Sequence, residues 1–400
     1  MAAKLSIQDV DLKNKKVLIR VDFNVPIEKG TIIDDSRIRG AIPTIQYVLD
    51  QGGAAILMSH FGRPDGKKDP QLSLAPCAKK LSELINKPVK MAPDCCGDET
   101  KKMAEGLKSG EILMLENLRF HIGEEKPHSE PEFANALAEL GEVYIDDAFG
   151  CAHRNHASIT LITKFFPHAS AAGYLMQKEI EYLGSTLLNP KRPFHAILGG
   201  SKISSKFKII KALMQHADCL LIGGAMMFNF FEIQGISVGD SLVEKDFFPV
   251  TRELMDVSSQ SRCRLVLPLD VVIAKEIRPN VESRVIQLQE GIPAGYKGLD
   301  IGPETIKLYD SILKKASTIF WNGPMGVFEC PPFNKGTNAI AQMIANFPVA
   351  TTIIGGGDSV AAVEQAGLAY KMSHLSTGGG AALEYIEFGK LPGIEALTNK

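Results

Sequence analysis

"TTIIGGGDSVAAVEQAG" occupies residues 351–367, and it reads as strand, turn and helix. The apolar run 351–354 suits a strand buried on both faces. Three glycines, Asp358 and Ser359 follow, and then the pattern turns helical. Glycines let the backbone approach a guest closely and adopt torsions closed to other residues. A helix start adds unpaired N–H groups and the positive end of the dipole. The fitting guest is a phosphate. Asp358 could cap the helix or bind Mg²⁺ beside that phosphate. Ser359 could cap the helix or hold the phosphate itself.

The same grammar recurs three times: "ILGGSKISSKFKII" (197–210), "LIGGAMMF" (221–228) and "HLSTGGGAALE" (374–384). Four such turns, all at carboxyl ends of strands in one half, point to a polyphosphate site. In the first of them Lys202 and Lys206 are four apart and would share one helix face. Cations there oppose the dipole, which makes sense with an anion between them; alone, they would read as solvated lysines. No turn is a Walker A loop. None is the Gly-x-Gly-x-x-Gly fingerprint of a dinucleotide site.

Strand and helix alternate along the rest of the chain. Strands are expected at 17–25, 54–60, 89–92, 111–115 and 143–146, then at 194–198, 219–222, 264–273, 318–321 and 351–354. Helices are expected at 36–51, 74–86, 131–140, 201–215, 225–234, 303–315, 335–346 and 359–364. This alternation predicts an α/β protein whose parallel sheets are covered on both faces. Four hundred residues exceed one ordinary core. The expectation is two doubly wound, Rossmann-like domains, 1–173 and 193–382. A helix at 176–188 and a Pro-rich linker, within 174–192, would join them across a hinge cleft.

Composition narrows the class. The chain is 45% hydrophobic and 22% charged with net charge −2, so nothing global attracts nucleic acid or acidic membrane. Seven cysteines, an odd number with no Cys-x-x-Cys, read as reduced thiols in a cytoplasmic protein. The first residues lack the apolar core of a secretory signal. No stretch approaches the ~20 apolar residues of a membrane span.

The first half carries different chemistry at its strand ends. "VLIRVDFNVP" places Asp22 and Asn24, "DDSRIRG" places Arg37 and Arg39, and "SHFGRPDG" places His60 and Arg63. "ENLRFHIGEE" places Arg119 and His121, and "DDAFGCAHRNHAS" places His153, Arg154 and His156. One exposed arginine is ordinary surface. Several at corresponding loop positions suit an anionic substrate, because the guanidinium fork matches carboxylate and phosphate. The halves thus divide labour: nucleotide phosphates in the second, a small anion in the first.

Taken together, "RVDFNVP", "SHFGRPDG", "ENLRF", "AHRNHAS", "GGSKISSK", "WNGPMGVFE", "GGGDS" and "STGGGAALE" resemble the phosphoglycerate kinase family, in its order and over essentially the whole chain. The resemblance implies phosphoryl transfer between 1,3-bisphosphoglycerate and ADP, giving 3-phosphoglycerate and MgATP after domain closure. It implies a substrate site at Asp22, Phe23, Asn24, Arg37, His60, Phe61, Gly62, Arg63, Arg119 and Arg154. It implies a nucleotide site at Gly199, Lys202, Lys206, Gly298, Asn322, Glu329, Gly356, Gly357, Asp358 and Ser359. Glu329 would hold the ribose hydroxyls and Asp358 the Mg²⁺. Arg37 and Lys202, with backbone N–H groups near Gly357 and Gly379, would steady the transferring group. The histidines near Arg154, His156 among them, would be structural or field-setting. The C-terminal segment 383–400 would pack back on the first domain. The family also implies a monomer; the balanced charge and the lack of a long apolar stretch imply no nucleic-acid or membrane partner.

Departures from the family pattern are small: Ser201 for alanine, Ser204-Ser205 for a small-acidic pair, Ser359 for threonine, and Cys151 before "AHRNHAS". They bear on nucleotide affinity and leave every charged site residue in place. A nicotinamide-dependent dehydrogenase would need the absent fingerprint. A hinged solute receptor would need an export signal and has no use for phosphate turns. A catalytically silent relative would have lost Arg37 or Lys202.

Overall fold

The apolar runs form strands whose order explains why so many loops meet. The computed structural model describes residues 3–400 and divides into two units, Met1–Ile180 with Lys390–Lys400, and Glu181–Gly389. Among the described residues, no helix is long and apolar enough to cross a membrane.

The first unit contains β1 (Lys16–Arg20), a short antiparallel hairpin of β2 (Ile27–Glu28) and β3 (Thr31–Ile32), then β4 (Ala54–Met58), β5 (Val89–Met91), β6 (Ile112–Met114), β7 (Val143–Asp146) and β8 (Ser170–Ala172). Six of them make one parallel sheet in the order β5-β6-β4-β1-β7-β8. Every residue of β4, β6 and β7 is buried, as expected for strands covered on both faces. Helix Ser36–Asp50 buries Ile38, Ala41, Ile45, Val48 and Leu49, the three-to-four spacing of an apolar stripe. The chain builds outward from β1 to one side and then crosses to β7 on the other. The carboxyl ends of β4, β1 and β7 therefore border a switch in strand order, where ligands of such sheets bind. The expected strand 17–25 stops at Arg20. Beyond it the Asn24 N–H turns back to the Asp22 carboxylate, 3.2 Å, a local bond that competes with sheet pairing.

The C-terminal residues Lys390–Lys400 complete this unit. Leu5 N–H donates to the Thr398 carbonyl at 2.8 Å, and Lys400 N–H to that of Ala3 at 2.7 Å. Ile394 and Leu397 are buried. The returning segment was expected from 383. Instead helix Gly380–Phe388 lies in the second unit, with Ala381, Ala382, Tyr385 and Ile386 buried, and left-handed Gly389 ends it. The expected helix 176–188 begins as Tyr174–Glu179 and continues as π-helical turns over Ile180–Thr186.

The second unit contains β9 (Phe194–Leu198), β10 (Cys219–Ile222), β11 (Arg264–Val266), β12 (Asp270–Ala274), β13 (Arg284–Gln287), β14 (Lys297–Ile301), β15 (Thr318–Asn322), β16 (Thr351–Gly355) and β17 (His374–Leu375). The main sheet is parallel in the order β11-β10-β9-β15-β16-β17, the 3-2-1-4-5-6 arrangement of doubly wound nucleotide folds. Strand 264–273 was expected as one piece. It is two, interrupted near Pro268, which has no N–H to give a ladder. The second piece, β12, joins a separate antiparallel sheet, β13-β12-β14, so this half is not wholly parallel.

At the switch between β9 and β15, loops press main chain against main chain. A Cβ on Gly199 would lie 2.1 Å from the Pro324 carbonyl oxygen, on Gly224 2.4 Å from Gly200 N, and on Gly323 2.3 Å from the Gly199 oxygen. The N–H groups of Gly199, Gly200, Gly223 and Gly224 are spent on the carbonyls of Asn322, Pro324, Leu198 and Met325, at 2.8–3.0 Å. These four N–H groups therefore serve the packing of the loops, while Gly200 and Gly224 also line the cavity of this unit. At Gly357, Gly379 and Gly380 a Cβ would meet nothing within 4 Å. Gly199→Ala, whose clash is with backbone, is expected to lower unfolding free energy by ~1–3 kcal/mol. Urea denaturation checks this, with Gly357→Ala the smaller comparison.

Candidate functional site

In the first unit, four neighbouring strands deliver the predicted anion-binding residues from their carboxyl ends. Asp22–Arg37 is the pair that joins the β1 loop to the start of helix Ser36–Asp50, with Arg37 Nη1 2.5 Å from Asp22 Oδ2. Asn24 Oδ1 accepts the Gly62 N–H at 3.0 Å. Arg119 Nη1 donates to the Gly62 carbonyl at 2.8 Å, and its Nη2 lies 3.0 Å from Glu125. Arg154 Nη1 reaches the same Glu125 at 4.0 Å. The structure thus brings together Asp22, Asn24, Arg37, Gly62 and Arg119, with Arg154 tied in through Glu125. Arg63 is exposed, while Phe23 and Phe61 are buried and face the core. Arg119 Nε is buried with no partner among the described residues.

Three residues that hold this arrangement were not singled out from the sequence. Asn117 accepts the N–H groups of Phe61 and Arg119, each at 3.1 Å, and donates to the carbonyls of Phe61 and Leu72. Ser59 Oγ accepts the Phe23 N–H at 2.9 Å. Arg20, fully buried beneath the loops, donates to Ser158 Oγ at 2.8 Å and lies 3.8 Å from Glu124. Asn117 stands inside "ENLRF". Arg20 carries no signal except a charge at the end of an apolar strand.

Charge states follow from burial and this positive field. Burial opposes the Asp22 carboxylate, but His60, Arg37 and Arg20 outweigh it and hold its pKa below the ordinary value. Burial pushes His60 well below its usual range. At neutral pH the charges holding Asp22 are therefore those of the arginines. His156 is lowered to about 3 by burial, with Arg20, Arg119 and Arg154 adding to it. Its Nδ1 lies 3.8 Å from Glu124, but one carboxylate does not offset burial and three guanidiniums. The unfolded chain takes up a proton on His156 near pH 6.5, and the folded chain only near pH 3. Stability is thus present above pH 6.5 and is lost as pH falls through that window. Relative to His156→Asn, wild type is expected to lose up to about 1.4 kcal/mol per pH unit between those values. Urea unfolding of both proteins at pH 7 and pH 5 checks this.

In the second unit a cavity of about 680 Å³ opens at the β9–β15 switch. Gly298, Glu329 and Asp358 line it, with Gly200, Ser201, Phe228, Leu242 and Val327. Gly298 is fixed by its N–H to Ser241 Oγ, 2.9 Å, and a Cβ there would strike the Phe228 ring at 2.2 Å. The apolar wall and the carboxylate of Glu329 suit a flat heterocycle bearing hydroxyls. Asp358 is exposed in the first turn of helix Gly357–Gln365. Asn322 Oδ1 accepts from Lys206 Nζ, and its Nδ2 is buried beneath the Gly356 turn without a partner among the described residues. Burial lowers the Lys206 pKa, while Asp358 acts to raise it.

Two expectations change here. Lys202 and Lys206 do not share a helix face: Lys202 precedes a 3-10 turn, Ile203–Ser205, and the α-helix begins only at Phe207. Glu244 secures that turn by accepting from Ser204 N at 2.9 Å and Ser204 Oγ at 2.6 Å. Ser359 is fully buried and its Oγ accepts the Gly323 N–H at 2.5 Å, so its side chain ties loops together. The loop around Asp240–Leu242, which also lines the cavity with Lys297 at the start of β14, has no periodicity by which sequence could reveal it.

The family described as Phosphoglycerate kinase matches residues 7–390. Phosphoglycerate kinases of Chloroherpeton thalassium and Moorella thermoacetica are each 50% identical over 398 residues, covering 99% and 100% of both chains. That of Chlorobaculum tepidum is 51% identical over 399 residues, covering 99% of this chain and all of its own. The structure of phosphoglycerate kinase from Coxiella burnetii superposes with a TM-score of 0.87 at 36% identity, and that from Pyrococcus horikoshii with 0.84 at 32%. Each covers 98% of both chains.

Proposed function

The chain belongs to the phosphoglycerate kinase family, and from that premise we propose how its own residues divide the work. Its activity is that family's phosphotransfer, between 1,3-bisphosphoglycerate and ADP on one side and 3-phosphoglycerate and ATP on the other.

The observation that carries the proposal is the cluster of Asp22, Asn24, Arg37, Gly62 and Arg119 at the carboxyl ends of neighbouring strands. These residues, with His60, Arg63 and Arg154, take the phosphoglycerate. Guanidiniums bind its phosphate and carboxylate bidentately. The cavity at Gly298, Glu329 and Asp358 takes the nucleotide, Glu329 accepting from the ribose hydroxyls. Lys206 and Asn322 meet the phosphates beside the Gly356–Gly357 turn.

Mg²⁺ prefers oxygen donors and is commonly held by one or two carboxylates plus substrate phosphates. The exposed Asp358 carboxylate at the cavity fits that role. The ion, bound with the nucleotide, neutralises phosphate charge. The acceptor carboxylate of 3-phosphoglycerate is already ionised at neutral pH, so no general base is needed. The protein's work is alignment and charge stabilisation of in-line transfer. Arg37 and Lys202, with N–H groups at Gly357 and Gly379, stabilise the transferring group. Each substrate is assigned to its own unit.

Seven cysteines are all free thiols, which favours a reducing compartment, and we assign the chain to the cytoplasm as a monomer. Light scattering tests the oligomeric state. A coupled assay with 3-phosphoglycerate, ATP and Mg²⁺, read as ADP formed, tests the function. Turnover that requires both substrates and stops with chelator supports the proposal. Nucleotide binding without turnover would detach the arginine cluster from this reaction.

A further inference from the structure

One cluster outside both half-sites combines the donor types that hold zinc-like cations. Asp94, Cys95 and Cys96 follow β5, and His121 follows β6. Donor atoms of Asp94, Cys95 and His121 all lie within 4.8 Å of one another. Cys96 Sγ is 3.9 Å from His121 Nε2. The same Nε2 lies 2.7 Å from Asp94 Oδ1, while Nδ1 faces Glu130 Oε1 at 3.2 Å. A carboxylate on the remote nitrogen is how proteins orient a metal-binding imidazole. The ring is further fixed by stacking on Phe133, with centroids 4.8 Å apart. Asp94 Oδ2 is paired with Lys68 at 2.8 Å, and Lys68 is 59% exposed and free to swing away.

We propose that Asp94, Cys95, Cys96 and His121 form a binding site for a divalent cation of the zinc class. One oxygen, two sulfurs and one nitrogen suit tetrahedral coordination. Mg²⁺ takes oxygens, so this site is chemically distinct from the nucleotide's. Binding replaces the protons of two thiols and the imidazolium with the cation and needs no oxidant. It clips the loops after β5 and β6, and His121 stands two residues beyond Arg119, so the clip steadies the segment that carries this arginine. The other mixed cluster, Asp22, His60 and Cys151, already holds a fixed cation. Arg20 Nη2 lies 3.3 Å from His60 Nδ1 and 3.8 Å from Cys151 Sγ.

The test is titration of reduced, chelator-treated full-length protein with Co²⁺, read in the visible and near-ultraviolet. One equivalent should produce a thiolate-to-cobalt charge-transfer band with intense tetrahedral d–d bands, displaced by Zn²⁺. Cys96→Ser should at least halve the charge-transfer intensity, the double variant Cys95→Ala/Cys96→Ser should abolish it, and Glu130→Gln should weaken Co²⁺ binding by ~10–100-fold. Cys330→Ser, at another partly exposed thiol, should leave the bands unchanged. Zn²⁺ should raise Tm in wild type and not in Cys96→Ser. No charge-transfer band in wild type, or a band left at full intensity by Cys96→Ser, overturns the proposal. That substitution at a partly exposed position decides the matter even if the double variant fails to fold.

Discussion

Replacing Arg37 with alanine lowers kcat by ~10²–10³, the usual cost of one preorganised charge at a reacting group. Arg37 occupies the second position of helix Ser36–Asp50, with a side chain 33% exposed and tethered by Asp22. The tether orients the guanidinium without enclosing it, so part of the fork stays open to a ligand. Lys202→Ala is expected to have a loss of the same order. Lys202 is exposed, on a turn secured through Ser204 and Glu244. In both variants nucleotide affinity should change far less than kcat, because the charge matters most as the phosphoryl group transfers. Steady-state kinetics with calorimetric nucleotide titration separates the two. Near-normal kcat in either variant removes that residue from the catalytic set.

The second large effect is on stability. Arg20 is fully buried, 3.8 Å from the equally buried Glu124, with Ser158 bridging them at 2.8 and 2.7 Å. Burying two charges is costly, and losing one partner leaves the other uncompensated. Arg20→Met is expected to cost ~3–5 kcal/mol, a large share of the 5–15 kcal/mol typical of a domain. The double variant Arg20→Met/Glu124→Gln should recover part of that loss, since the orphaned carboxylate is gone. Urea titration of wild type, both single variants and the double variant gives the coupling energy. A single-variant cost below ~1 kcal/mol would mean that Glu124 is stabilised by Ser158 alone.

Much of the fold was legible because parallel strands covered on both faces leave unbroken apolar runs. The runs at β4, β7, β9 and β16 are such cases. The site was legible for a related reason. In a doubly wound sheet the loops at strand carboxyl ends converge, so Asp22, His60, Arg119 and Arg154 could be grouped without knowing a distance. The errors have equally local causes. Spacing of four implies a shared face only inside an α-helix, and the 3-10 turn at Ile203–Ser205 breaks that inference for Lys202 and Lys206. A pair of glycines after a strand does not say whether the empty side faces a ligand or another backbone. At Gly199 and Gly224 it faces backbone, and at Gly357 it faces open space. The antiparallel sheet escaped notice because β13 is half-exposed and β14 begins at Lys297 with a glycine next.

The eleven residues that close the first unit follow the whole of the second along the chain. Leu5 and Ala3 find their partners at Thr398 and Lys400, so no nascent chain can form these bonds until residues 398–400 have been made. The second unit, Glu181–Gly389, is fully translated before them. Birth order and folding order are thus separated: the half that is begun first is finished last.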